Sequence, residues 1–415
     1  MWLKISIVVL IFYAGAIPLI LTGHDVGRAF NDQEVYHYPT IVHFIAGLDI
    51  QDYPSATTPG YHVLIAQVAR LSPDSITSLK LAGSLITAML LAACCAVIAT
   101  RYRLIDTIAI MLPAITSIYL FPAGVWLLPD NLAWLTVFIS LALTLKLPDR
   151  FWPYAAAGAM LVCAVLVRQV NIWAAAVIWV RGLYGAFAAT HRGSSIKHLS
   201  AAVSSTIPAF AVLLYFFWQW GAMVPPSFAG QHQTVNAVAP AFFLAVLFYY
   251  GAFYLAYLAP ALQKVISDKT GMIVILCGLL VGFVLSLIAR TDYNWDEGRA
   301  SGIWNFVKIA PVILNRSLLL SAMSAAGGAA IAALIWFNRG LPRWIMIAGI
   351  PAFILSQMMN QFVFERYFAG FIFGLLFFIL REVADGERMP SSHFRVVPPL
   401  LLALFNVMVL WRGLL

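Results

Sequence analysis

Charged residues enter this chain almost only at the ends of apolar runs of about 20 residues, the helix length that crosses the hydrocarbon of a bilayer. Hydrocarbon offers no water to backbone N–H and C=O groups, so runs of this kind fold as helices that satisfy their own backbone. The pattern sets the fold class as all-α and makes the chain a polytopic integral membrane protein. Composition agrees: 62% of the 415 residues are hydrophobic and 10% charged, against about a quarter charged in ordinary soluble domains.

Reading off the runs gives about 13 transmembrane helices. They cover residues 4–21, 76–100, 104–122, 132–147, 152–167, 172–189, 199–218, 241–262, 270–289, 312–337, 344–361, 368–380 and 396–411. Residues 60–71 are too few to span and read as an interfacial helix leading into the second span. The first run follows Lys4, and no small-x-small cleavage pattern precedes His24, so it is expected to stay as the first helix rather than act as a signal peptide. Residues 1–415 are expected to form a single transmembrane domain, with residues 23–75 as its first extracytoplasmic loop.

The basic residues then fix orientation. A cytoplasmic N-terminus puts Arg101/Arg103, Lys146/Arg150, Arg192/Lys197, Lys264/Lys269, Arg339/Arg343 and Arg381/Arg388/Arg395 on one side, which is therefore the cytoplasmic one. The net charge of +8 is spread in ones and twos and builds no nucleic-acid-binding patch. The four cysteines, Cys94, Cys95, Cys163 and Cys277, lie in apolar runs without His or acids at ligand spacing, which points to neither disulfides nor a metal site.

The opposite side holds the chemistry-bearing residues. The stretch 31–60 gathers unpaired acids, His and Pro, and its Asp32 and Glu34 are the candidate general bases. Two positions apart on a helix they point to different faces, so only one is expected to reach a reacting hydroxyl. Asp130 opens the fourth span after Pro129, where capping the helix is the competing reading. Arg168 ends the fifth span beside Gln169 and Asn171, three hydrogen-bonding side chains that need partners at a membrane boundary, with headgroup snorkelling as the alternative for the arginine. Glu365-Arg366-Tyr367 precedes the twelfth span, either as a further site or as an internal ion pair. His232 is the lone histidine of the loop 221–240. The loop 290–311, with Asp292, Asp296, Glu297, Arg299, Trp295 and Trp304, has the make-up of a carbohydrate-facing lid or, equally, of an aromatic belt of mixed charge. No P-loop, dinucleotide fingerprint or Ser/His/Asp spacing is present.

Several strings carry a family likeness. Glu34-Val35-Tyr36-His37 with Pro39, Thr57-Thr58-Pro59-Gly60, Asp130, Arg168-Gln169-Val170-Asn171-Ile172-Trp173, His232 and Glu365-Arg366-Tyr367-Phe368 together resemble the GT-C-fold glycosyltransferases that use polyprenyl-phosphate sugars. Within them the chain is most similar to the dolichyl-phosphate-glucose α-1,2-glucosyltransferase family, in the same order along nearly its whole length. The Arg-Gln-x-Asn-Ile-Trp and Thr-Thr-Pro-Gly strings are the most specific. The chain departs from the family where Gln33 stands in place of an acid next to Glu34, and it lacks the long polar insertions of eukaryotic members.

The resemblance implies an inverting hexosyltransferase, most simply a glucosyltransferase, working on the extracytoplasmic face. Its partners would be a polyprenyl-phosphate hexose, a lipid-linked or cell-envelope glycan acceptor and the surrounding membrane lipids, with no nucleic acid. The compact length implies a bacterial relative in the inner membrane; a eukaryotic one would sit in the endoplasmic reticulum. Glu34 would be the base, with Asp32 second; Arg168 and Arg366 would meet the donor phosphate. His37, Thr58, Asp130, Gln169, Asn171, His232, Glu365 and Tyr367 would bind substrate. Cationic side chains can meet a lipid phosphate leaving group unaided, so no metal or other cofactor is expected. The rival reading is a polytopic transporter or lipid-glycan flippase, which would show broken helices and ionisable groups near the bilayer midplane.

Overall fold

The computed structural model describes residues 1–415 except 24–26, 72–74, 147–150, 190, 232–234, 387–392 and 415. Helices dominate, and among the described residues strands are limited to one hairpin, Val312–Ile313 with Arg316–Ser317.

Each expected span contains helix, but among the described residues fewer than the expected 13 are long enough to cross. Among the described residues nine helices are long and apolar enough to cross a membrane, or ten if a bent pair counts as one span. The helices Leu104–Ile115, Asp130–Leu145 and Trp152–Val167 are apolar but shorter. The chain is a multi-pass membrane protein. The helix Gly60–Leu71 occupies the residues read as interfacial.

Local signals set the ends. Gly23 closes the first helix, Trp2–Thr22, in the left-handed conformation at φ 62°, giving its N–H to the carbonyls of Leu19 and Ile20. Ser75, Asp268 and Ser317 accept from Ser78 N, Thr270 N and Leu320 N and so cap the helices Ile76–Ile98, Lys269–Ile288 and Leu318–Phe337.

Several expected boundaries shift; the span expected at 199–218, for example, is the helix Arg192–Trp220. The run 104–122 divides into Leu104–Ile115 and Leu120–Val125, because the buried Ser117 hydroxyl accepts from Tyr119 N and Leu120 N and starts a second helix. The run 241–262 is two helices, Ala239–Ala252 and Leu255–Ile266, bent by 108°. The run 312–337 begins its helix only at Leu318, since the preceding residues form the hairpin.

The chain divides into two compact units, residues 1–232 with 400–415, and residues 233–399. In the second, the helices Lys269–Ile288 and Leu318–Phe337 cross at contact distance. A Cβ on Gly278 would lie 2.4 Å from Gly328 O, and one on Gly328 2.2 Å from Gly278 O. Ser324 adds a hydrogen bond of 2.7 Å to Gly282 O. Small residues at a crossing let membrane helices gain dispersion energy where no hydrophobic effect drives them together.

Candidate active site

The first unit builds its polar centre from the segment after the first helix. Arg28–Asp32 is a short α-helix, and Gln33–His37 continues it as one turn of π-helix, a rare form concentrated at functional sites. The turn has two sides. Gln33 and His37 are buried, while Glu34, Val35 and Tyr36 are exposed. Glu34, the first candidate base, thus faces outward; Asp32, the second, is half-buried at the end of the preceding helix.

Both buried residues anchor the turn. Gln33 Nε2 donates to Glu34 Oε1 at 2.9 Å, and Gln33 Oε1 accepts from Leu127 N at 3.2 Å. His37 Nδ1 lies 3.0 Å from His62 Nε2, with the rings stacked at 5.2 Å. Burial, reinforced by His37, holds His62 well below the ordinary histidine range.

The two most specific strings of the sequence hold each other. Thr58 Oγ1 donates to Val165 O at 2.6 Å and Thr58 N donates to Gln169 Oε1 at 3.3 Å. Gln169 Nε2 donates to Ala56 O at 2.9 Å and to Met223 O at 3.0 Å, so both ends of this amide tie loops together. Gly60 completes the contact: a Cβ there would stand 2.6 Å from Leu166 O, a distance only glycine allows. Asn171, buried, gives Nδ2 to Ala164 O at 3.2 Å and fixes the exit of helix Trp152–Val167. The loop after Trp220 is held to the same end by Ser227, whose hydroxyl and N–H both go to the Asp52 carboxylate, and by Phe228, whose ring meets Tyr36 at 6.0 Å.

Arg168 follows that helix, and its guanidinium lies 3.1 Å from Asp130 Oδ1 at the start of helix Asp130–Lys146. The side chains are 16% and 10% exposed, so the pair is neither a screened surface bridge nor fully sequestered. Asp130 Oδ1 takes no aligned hydrogen bond from the described residues, and neither do the Tyr61 hydroxyl and His62 Nδ1. Burial, with Asp130 nearby, pushes the Tyr61 hydroxyl pKa up. It stays a neutral donor. Buried polar atoms without partners cost about 1–3 kcal/mol each, a cost that a polar guest would offset.

The second unit places its candidates differently. Glu365 is buried and accepts from the Tyr250 hydroxyl at 2.7 Å and from Ile303 N at 2.8 Å. Arg366, half-buried, stacks its guanidinium over Phe364 and Tyr367 at 5.7 and 5.4 Å. Tyr367 packs its ring on Phe364 at 5.7 Å. His232 lies outside the described residues.

The loop 290–311 differs from an open lid. Arg299 is buried and bonds Asp292 O, Asp292 Oδ1 and Glu297 Oε2. Trp304, read from sequence as either a sugar-facing ring or part of an aromatic belt, is fully buried; it stacks on Phe242 at 4.7 Å and donates to Val363 O at 2.9 Å. Indole area that large lowers the free energy more in a core than at a wet surface. Trp295, 61% exposed, does face outward.

Gln33, His62 and Tyr61 carried no role in the sequence reading. Their signal was thin: an amide inside an acidic string, and a Tyr-His pair directly after Thr-Thr-Pro-Gly. Among the described residues no three His, Cys, Asp or Glu side chains converge as a metal ion would need.

No family model and no curated protein matches the chain. Among solved structures, a crystal structure of ArnT from Cupriavidus metallidurans in the apo state aligns over 98% of this chain and 88% of its own, at 12% identity and a TM-score of 0.41. The functional reading rests on the residues themselves.

Proposed function

We propose that this protein is a membrane glycosyltransferase of the GT-C kind that moves a hexose, glucose in the first instance, from a polyprenyl-phosphate donor to a lipid-linked or envelope glycan on the extracytoplasmic face. What supports the reading is one observation: an outward carboxylate, Glu34, and a half-buried guanidinium, Arg168, belong to one compact unit in which Gln33 ties the Glu34 turn to Leu127, three residues before the Asp130 that pairs with Arg168.

In this reading the Glu34 carboxylate takes the proton of the acceptor hydroxyl as its oxygen attacks the anomeric carbon. The bond from that carbon to the phosphate oxygen breaks on the opposite face, and the electron pair leaves with the polyprenyl phosphate. Configuration inverts, so a β-linked donor gives an α product. Arg168 meets the phosphate charge, and Asp130 orients the guanidinium. Thr58, Gln169 and Asn171 hold Arg168 in place through the loop contacts described above. His37 fixes the turn that carries the base. Glu365 has a scaffold role in the second unit, where Arg366 and Tyr367 stay candidates for substrate contact.

A second reading, transport or lipid-glycan flipping, draws support from the bent pair Ala239–Ala252 and Leu255–Ile266, since broken spans mark transport sites. The break itself consists of Phe253 and Tyr254 and supplies no carboxylate, amine or guanidinium.

Mass spectrometry of lipid-linked glycans from cells with and without the gene separates the two. A glycosyltransferase is expected to leave its acceptor one hexose shorter when deleted. A glycan of unchanged mass that collects on the cytoplasmic leaflet would overturn the proposal in favour of transport.

A further inference from the structure

We infer that Gln33 is a positioning residue that sets the direction of the Glu34 carboxylate, an inference that rests on Glu34 being the base. The amide has no freedom to flip. Leu127 N–H can only donate, so the Gln33 oxygen must face it at 3.2 Å, and the NH₂ must then face Glu34 Oε1 at 2.9 Å. Gln33 is 0% exposed and its bond to Leu127 N is buried, so the amide is fixed from the side that water does not reach. One carboxylate oxygen is thereby held by a neutral donor, and Oε2 is left to accept from an incoming hydroxyl.

An acid at position 33 would act differently. Its oxygen could still accept from Leu127 N–H, but toward Glu34 it could donate only while protonated. Two adjacent carboxylates would then share one proton and titrate as a pair. The amide gives the donor at every pH. Asp32 precedes the turn, His37 ends it against His62, and Asp130, paired with Arg168, follows Leu127 by three residues; all are the same in the native protein and in any variant at position 33, so a change seen only in a Gln33 variant reports that position.

The test is kcat and donor KM across pH for the full-length protein in detergent with polyprenyl-phosphate glucose, comparing Gln33→Met, Gln33→Glu and Glu34→Gln. Gln33→Met is expected to lose about tenfold in kcat, the worth of one such hydrogen bond, with donor KM unchanged. Gln33→Glu keeps the acceptor for Leu127 N–H and so the fold. It is expected to gain a falling limb as pH rises and the shared proton leaves, a limb the native protein lacks. A purely structural role would lower yield without adding that limb. If Gln33→Met keeps full kcat and Gln33→Glu tracks the native profile, the positioning role is overturned. If Gln33→Met does not fold, the Gln33→Glu profile decides alone. If Glu34→Gln itself keeps its turnover, the base assignment is what fails, and the inference falls with it.

Discussion

Arg299 and Arg168 each pair with an aspartate in one of the two units, and they differ in what the pairing leaves over. Arg299 directs three donors at Asp292 and Glu297 and is 4% exposed, so its charge is matched inside the loop it organises. Arg168 makes a 3.1 Å charge contact with an Asp130 oxygen that accepts no aligned hydrogen bond, and it keeps 16% of its side chain open. One glutamate from each unit contrasts in the same way. Glu365 is buried with each oxygen bonded, whereas Glu34 is exposed with one oxygen held. Clusters of the same residue types thus divide into one that is complete as a scaffold and one that retains capacity for a guest. A polar cluster in a membrane protein is therefore read by its unsatisfied atoms more than by its composition.

The largest expected effect falls on the acid with a free oxygen. Glu34→Gln should lose at least about 10²-fold in turnover, the low end for a general base, with donor binding kept. Asp32→Asn should cost less, and in vitro rates for the pair check the order. The reverse order would move the base to Asp32 and break the contrast between the π turn and its neighbour.

Next come the arginines. Arg168→Ala should weaken donor use about ten- to a hundredfold, as loss of a charge-assisted bond to phosphate would. Arg299→Ala should leave the activity of each folded molecule alone and lower stability by about 1–3 kcal/mol, seen as a lower Tm in detergent. Donor KM values separate the two. An Arg168 variant with native KM and an Arg299 variant with a raised one would invert the comparison.

Glu365→Gln sharpens it further within the second unit. An amide offers one acceptor where Tyr250 and Ile303 use two, so Tm should fall by the equivalent of about 1–3 kcal/mol while kcat holds. The smallest effect concerns His62, held neutral by burial. The unfolded chain takes up that proton near about pH 6.5. Stability from the neutral ring is therefore complete above that value and is lost as pH falls toward the depressed folded value. Tm should drop between about pH 7.5 and about pH 5.5, and His62→Gln should flatten the drop.

The helices were legible in the sequence because each apolar run answers to one local rule, and the residues 60–71 came out as a helix with the expected ends. Less local features were not. The 108° bend at Phe253 and Tyr254 carries no Gly or Pro at the break, and the run reads as a single span. Trp304 looks like any boundary tryptophan until Phe242 and Val363, 62 and 59 residues away, close around it. At the candidate site, sequence picked out Gln169 and Asn171 as polar residues needing partners, and Thr58 through the Thr-Thr-Pro-Gly string, but not that Thr58 and Gln169 serve each other across 111 residues. Gln33 read as a departure from an acidic pattern; its role depends on a backbone N–H 94 residues on, which no spacing rule reaches.

The central claim is tested most directly by incubating the purified protein in liposomes with polyprenyl-phosphate glucose and a lipid-linked glycan acceptor, and following both lipids by mass spectrometry with the native chain, Glu34→Gln and Arg299→Ala in parallel. The expected result is release of polyprenyl phosphate matched by gain of one hexose on the acceptor, abolished in Glu34→Gln and kept in Arg299→Ala. Transfer that survives Glu34→Gln and disappears in Arg299→Ala, or donor that changes leaflet with its sugar–phosphate bond intact, would contradict it.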